Sequence, residues 1–351
     1  MLVSVSGMRI EIWADVVCAW AYIGKRRLEK ALASPALADA GAEVVWRPFR
    51  IDPTTPDQAI PIEEAYRDPL VDAALRQCAP GLSPAENRVR ISRIAGDEGL
   101  DPEWGAVWRA SSHDSHRLLH LAREQGSAVL QNEVAEHVMK THFIDGDDIS
   151  DRRCLKMIAV RSGFARGAEL LDTDAGDREV RELLLIGKAR GITTSPTIVV
   201  GDRALAGAQP PEAIADFLAG GDYKRQMPEE VQRLRWAESL LDQHDPLGAL
   251  ALLKPLLEDH ADDLNVRRIA ARGYFHSAQL ARARVLLEQL IIDAPDDSYA
   301  RLMLGRTLQR LGNEDQASLH LKMATAMTPE FASGRSLIGY MITGSEEMTR
   351  I

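Results

Sequence analysis

Strand-like runs of apolar and β-branched residues fall at 9–13, 44–51 and 197–200, with a short fourth run at 204–206. The first lies within an extended stretch, 8–14, that runs straight into the helical pattern beginning near Cys18. Gly201-Asp202 joins the last two runs as a tight hairpin. Between the second and third runs lies a long helical region, about 61–190. Its signals include Ser83-Pro84 ahead of an amphipathic run, then 104–125, then 151–163. The predicted order is strand, helix, strand, helical insert, strand, strand, helix.

The C-terminal part has a different grammar. Ala249, Ala283 and Ala317 are spaced by 34 residues, as are Leu253, Leu287 and Leu321. Leu256, Leu290 and Ala324 keep the same step, followed by Ala261, Pro295 and Pro329. On the preceding helix, Ala237, Ala271 and Gly305 agree with it, as do Leu240, Tyr274 and Leu308. Such a period describes a helix–turn–helix unit, with small residues where helices cross and large apolar residues in the seam. It resembles the tetratricopeptide repeat, as three repeats over 230–331. Arg233, Arg267 and Arg301 stand at the usual tryptophan position and are read as tolerated variation. A capping helix is expected over 332–345, and 221–229 reads as the linker to the repeats.

Composition narrows the partners. The 351 residues carry a net charge of −10, shared by both halves, which disfavours nucleic acid or an anionic membrane as partner. No apolar run approaches the ~20 residues of a membrane span. The first seven residues have neither the basic region nor the apolar core of a signal peptide. A cytoplasmic protein is expected. Its three cysteines, Cys18, Cys78 and Cys154, make no disulfide framework and should be free thiols.

Cys18 carries the candidate chemistry. At a strand-to-helix junction it meets the unpaired N–H groups and partial positive charge of a helix N-terminus. A thiolate there is stabilised, so a lowered pKa is expected, with small help from Lys25, Arg26 and Arg27. The alternative is a buried, inert cysteine. Pro196, just before the third strand, reads by position as a strand-opening trans proline. The order of strands and helices resembles a thioredoxin core, and that resemblance implies instead a cis proline facing Cys18, with Ser195 touching the sulfur. His113, His116 and His120 share a helical face. No converging carboxylate completes a metal set, so no metal is expected, and His116 or His120 is a candidate lining residue. Trp20 should lie exposed beside the sulfur, and the other tryptophans of this half in the core or cleft. Arg268, Arg272 and Arg306 fall on the groove-facing helices of the repeats, either as a peptide-binding row or as a solvated charged face.

The stretches "DVVCAWAYIGKRRLEKAL", "VVWRPFRIDP", "DSHRLLHLAREQG" and "GITTSPTIVVGDRALAGAQPPEAI", in that order, resemble the DsbA-like thioredoxin family over 8–220. The likeness is to its FrnE-type branch, related to 2-hydroxychromene-2-carboxylate isomerase and kappa-class glutathione transferase. The resemblance implies an α/β thioredoxin-like fold with a large helical insertion, followed here by an all-α repeat solenoid. It also implies thiol–disulfide oxidoreductase chemistry by the first cysteine of a C-P-W-C motif opposite a cis proline. In this chain Ala19 and Ala21 replace the motif's proline and second cysteine, and Ser195 replaces a commoner β-branched residue.

Three readings follow. In the first, Cys18 acts alone, an external thiol such as glutathione resolves the mixed disulfide, and the repeats recruit protein or peptide clients. In the second, the redox site has decayed and the protein is a peptide-binding adaptor. In the third, it is a glutathione-dependent transferase or isomerase. No tightly bound cofactor is expected in any of them.

Overall fold

The computed structural model describes residues 8–38, 40–100, 104–220 and 227–333. The chain divides into two compact units, 1–226 and 227–351. The expected linker and capping helix fall largely outside the described residues.

The first unit is built on a four-stranded sheet. Its strands are β1 (Arg9–Ala14), β2 (Glu43–Pro48), β5 (Thr197–Val200) and β6 (Arg203–Ala206), in the order β2-β1-β5-β6. β1 and β2 run parallel, joined by α1 (Ala19–Leu32), while β5 and β6 run antiparallel. β1 is one of the two internal strands, and both its faces are covered. Ile10 and Ile12 are buried on one side, and on the other Trp13 lies so close to α9 (Asp177–Ala189) that a Cβ on Gly187 would meet its ring at 2.7 Å. Glu11 is held among the strands by Arg47 and Arg190. Burial pushes that carboxyl up, but the two guanidiniums outweigh it and the group titrates below its ordinary range.

The insert supplies β3 (Ile60–Pro61), α2 (Ile62–Ala65), α3 (Pro69–Cys78), α4 (Pro84–Asp97) and β4 (Trp108–Arg109). It continues through α5 (His113–Gln125), α6 (Ala128–Lys140), a π-helical turn (Thr141–Asp145), α7 (Arg152–Arg161), α8 (Ala165–Leu170) and α9. α10 (Pro211–Ala219) closes the unit. α4 starts on a capping box, in which Ser83 Oγ accepts from the Glu86 amide and the Glu86 carboxylate accepts from the Ser83 amide.

Two boundaries differ from the sequence expectation. The helix expected from 104 begins only at His113, because Trp108 and Arg109 pair with Pro61 and Ile60 in a second, two-stranded sheet. The second strand ends at Pro48 rather than 51, and the backbone then turns so that the Ile51 amide donates to a side chain, Asp15 Oδ2, at 2.8 Å.

The second unit is a stack of helix pairs: α11 (Glu229–Asp242) with α12 (Pro246–Asp259), α13 (Leu264–His276) with α14 (Leu280–Asp293), and α15 (Ser298–Arg310) with α16 (Glu314–Met327). Ala249, Ala283 and Ala317 are all fully buried, as the 34-residue period requires. A Cβ on Gly305 would lie 2.7 Å from Leu321 Cγ, so this crossing admits only glycine without rearrangement. The arginines at the usual tryptophan position are more than tolerated variation. Arg267 Nε donates to Ala261 O at 2.6 Å and Arg301 Nε to Pro295 O at 3.0 Å, each reaching back six residues to satisfy a carbonyl of the preceding turn.

Candidate functional site

Cys18 is the N-cap residue of α1, with extended backbone angles. The Asp15–Cys18 turn that places it is closed by the Cys18 amide donating to Asp15 O at 3.0 Å. The peptide bond between Ser195 and Pro196 is cis. The Cys18 thiol donates to the Ser195 carbonyl at 3.5 Å, and Ser195 Oγ accepts from the Asp15 amide at 3.0 Å. The structure thus brings Cys18, Ser195 and Pro196 together, as the sequence suggested. Trp20 is half-buried rather than exposed as expected, with the Arg90 guanidinium 5.6 Å from its ring centre.

The electrostatics differ from expectation. Cys18 is only 8% exposed, and burial pushes its thiol up rather than down. Hydrogen bonds from Ser195 and from the Ala21 and Trp20 amides favour the thiolate, while the Asp15 charge opposes it. The helix terminus acts as predicted, but desolvation is larger. The cations that follow Cys18 in sequence are engaged elsewhere. Lys25 and Arg26 both pair with Glu29 and Glu136. Arg27 binds Glu98 and the Ala208 carbonyl. Lys25 and Arg26 line a cleft of about 610 Å³ with Glu136, His137 and Arg161, and Cys18 is not among its walls.

Ala21 is fully buried, so nothing replaces the missing thiol at that position. Cys154 is buried in α7, where desolvation and nearby aspartates push it up to about 11, and Cys78 is exposed at the end of α3. All three cysteines are free.

The histidine row separates into different environments. His113 pairs with Asp177 at 2.7 Å. His120, a candidate lining residue, instead lies beside Gly176 and near Glu179, because the helical twist turns it toward α9. His116 alone reaches the site: its Nε2 lies 2.9 Å from Phe49 O and 3.5 Å from Asp15 Oδ1. Among the described residues no cluster of His, Cys, Asp or Glu is arranged to hold a metal. Sequence reasoning missed Asp15 and His142. Asp15 is 1% exposed, and His142 is 2% exposed with burial pushing it down to about 4. The "D" of "DVVC" was a visible signal; nothing in the pattern marked His142.

In the repeats, Arg268 binds Asp297 at 2.8 Å and Asn265, and Arg272 is buried against Glu238 and Asp242. Arg306 has no ion pair among the described residues. All three act on Tyr299, whose hydroxyl is pushed up by burial against their pull. They share one neighbourhood, but two of the three are already neutralised.

Comparison with known proteins bears on the fold of each unit. The DSBA-like thioredoxin domain family matches residues 9–219, and the tetratricopeptide repeat family matches 240–301 and 274–339. The uncharacterized protein YwbO of Bacillus subtilis (strain 168) is 22% identical over 204 residues, spanning 57% of this chain and 90% of that protein. Among solved structures, a probable DsbA oxidoreductase from Streptomyces coelicolor is 29% identical with a TM-score of 0.51, over 63% of this chain and 93% of that one. A 2-hydroxychromene-2-carboxylate isomerase matches at 14% identity and a TM-score of 0.42, over 57% of this chain and 89% of that one.

Proposed function

This chain belongs to the DsbA-like thioredoxin domain family, and on that premise we propose that it is a single-thiol relative of the disulfide oxidoreductases, with clients recruited by its repeats. The observation that carries this reading is the Cys18 sulfur at the α1 N-cap, 3.5 Å from the Ser195 carbonyl, with alanine at position 21. In the proposed cycle, deprotonated Cys18 attacks a disulfide R–S–S–R′. The Cys18–S–S–R bond forms and R′–S⁻ leaves. An external thiolate, glutathione by class, then attacks the R sulfur and releases Cys18 as the thiolate, which takes up a proton. No electrons are gained or lost beyond this exchange of one disulfide for another.

The burial of Cys18 shapes the rates. A raised pKa leaves little thiolate at neutral pH and makes Cys18 a poor leaving group. The mixed disulfide forms slowly and persists. This is the opposite of a strong oxidant, whose low-pKa thiol leaves readily. The repeats would then serve to hold a client close while exchange proceeds, since tetratricopeptide repeats generally mediate protein–protein interaction.

The test uses the full chain with Cys78→Ser and Cys154→Ser in place. Glutathione disulfide should add one glutathionyl group at Cys18, read by intact mass, and reduced glutathione should remove it. No adduct after prolonged exposure at pH 8.5 would overturn the reading. The adaptor reading, favoured by the same burial of Cys18, would then stand.

A further inference from the structure

The cleft of about 610 Å³ in the first unit is not used by the thiol chemistry, since Cys18 is not among its walls. Its size is that of a small-molecule site, about 300–1,000 Å³. α1 lines one side with Lys25, Arg26 and Glu29. α6 lines a second with Asn132, Glu133, Glu136 and His137, which the helical turn places on one face. Arg161 and Ser162, at the end of α7, close the third.

Most of the charge in this cleft is already spent within it. Lys25 Nζ lies 2.8 Å from Glu136 Oε2 and also binds Glu29. Arg26 binds the same two carboxylates, with Nη1 at 3.0 Å from Glu29 Oε2. Tyr22 OH donates to Glu136 Oε1 at 2.7 Å. These groups make a neutral, cross-linked wall.

Four polar groups are left over. Trp46 Nε1 can only donate, so the Asn132 atom it meets at 3.1 Å is the amide oxygen, and the Asn132 NH₂ remains uncommitted. Ser162 Oγ gives its hydrogen to Ile158 O at 2.9 Å. At its 2.7 Å contact with His137 Nδ1 it therefore accepts, and Nε2 is the imidazole nitrogen left without a partner among the described residues. The Glu133 carboxylate and the Arg161 guanidinium are both exposed. Among the described residues neither has an ion pair, and although they line one cleft they do not pair with each other. The walls hold three cations and three carboxylates, His137 apart, so they favour no multiply charged ion of either sign. What they leave open is one positive and one negative position on separate helices. That arrangement suits a chain with a charge at each end better than a single amino acid, whose two charges share one carbon.

We propose that this cleft binds a short free peptide, with its terminal carboxylate on Arg161 and its terminal ammonium on Glu133. The Asn132 NH₂ and His137 Nε2 are then available to the peptide groups between the two ends. The site is separate from Cys18 and does not depend on what that thiol does.

The probe is triglycine, titrated into the ¹⁵N-labelled full chain. The Trp46 indole N–H signal, assigned by its loss in Trp46→Phe, is the reporter, because the Asn132 side chain joins that indole to the cleft. The expected result is a saturable shift with triglycine, binding weakened roughly fivefold when either end is blocked by acetylation or amidation, and no shift when both are blocked. In Glu133→Gln, acetylation should lose its effect. In Arg161→Gln, amidation should lose its effect. Both side chains are exposed, so the remaining indole signals should stay in place and report an intact fold. The absence of a saturable shift would overturn the proposal, as would equal binding of free and doubly blocked peptide. Glycine binding as tightly as triglycine would overturn the assignment to a peptide. The titration involves no thiol exchange, so a missing glutathione adduct would sink the proposed function and leave this inference standing.

Discussion

A Cβ placed on Gly24 would fall 2.9 Å from Pro196 Cγ, closer than real side chains come. Two turns of α1 after Cys18, the helix is pressed against the loop that carries Ser195. The atom in the way belongs to a proline ring, which has no rotamer to escape into, and Ala208 Cβ stands 3.5 Å away on the same side. Gly24→Ala gains about 1 kcal/mol of helix propensity but incurs an overpacking cost of about 1–3 kcal/mol. The expected outcome is a net loss of stability together with faster alkylation of Cys18. Five of the six tryptophans lie in this unit, so fluorescence in urea reports its unfolding. An unchanged or higher midpoint would show that the loop yields.

The buried His142 predicts an acid limb. Its folded pKa of about 4 lies below the ordinary histidine value, so between about 6.5 and 4 the unfolded chain binds more protons than the folded one. Stability is therefore present above pH 6.5 and is lost as the pH falls toward 4, by about 3 kcal/mol in all. Ordinary carboxylates titrate mostly below this window. His142→Phe should flatten the fluorescence-monitored stability profile between pH 6.5 and 4.5, and a limb of unchanged slope would assign the loss to another group.

Ala21 sits where a resolving thiol would close the motif. Its amide donates to Cys18 O at 2.9 Å, the separation of one tight helical turn. That geometry brings the two Cα atoms within the roughly 4.4–6.8 Å range that a disulfide spans. Ala21→Cys should oxidise to an internal disulfide, with the loss of two titratable thiols. The variant should then release a glutathionyl adduct without added thiol. Persistent free thiols at both positions under oxidant would show that the buried wall around Ala21 blocks the bridge.

How much of this could be read from the chain follows from which contacts are local. The repeats were legible because identical packing demands recur every 34 residues. The thiol and its partner loop were legible through the resemblance, although Cys18 and Ser195 are 177 residues apart. Ionisation was not legible. The N-terminal position of Cys18 is a local fact that predicts a lowered pKa, whereas its burial depends on the insert and the whole core. For the same reason Asp15, His116 and His142 come from three separate elements and show no common spacing. The short β3–β4 pair escaped because two-residue strands carry no periodicity.

Arg267 illustrates a cost the period alone conceals. Its guanidinium is buried at the base of α13 and binds Ala261 O, Asp262 and, at 2.5 Å, Asp293 at the end of α14. Arg267→Ala leaves the Ala261 carbonyl without its donor, a loss of about 1 kcal/mol, while Asp262 and Asp293 are exposed enough to turn to water. Hydrogen exchange should quicken across α12 to α14 while the first unit stays as it was. Unaltered exchange in those helices would return this arginine to the status of tolerated variation.

The last prediction separates the three groove arginines. Arg268 and Arg272 already hold acidic partners, so replacing either removes a structural ion pair as well as a cation. Arg306 has no ion pair among the described residues and lies half-buried near Tyr299. A guanidinium in that state is available to a carboxylate, and a desolvated pair of this kind contributes more than an exposed one. If the repeats take peptides by an acidic end, Arg306→Ala should weaken binding of a free-acid peptide library about tenfold, as loss of a charge-assisted contact implies. The amidated version of the same library should be indifferent to the change, and the difference should shrink with added salt. Arg272→Ala should instead show itself first in the stability of α11 and α13, the helices its pairs with Glu238 and Asp242 join. Equal binding of free-acid and amidated peptides by the parent chain would dispose of the acidic-end reading, and the arginines would then be a charged face whose partners lie within the stack.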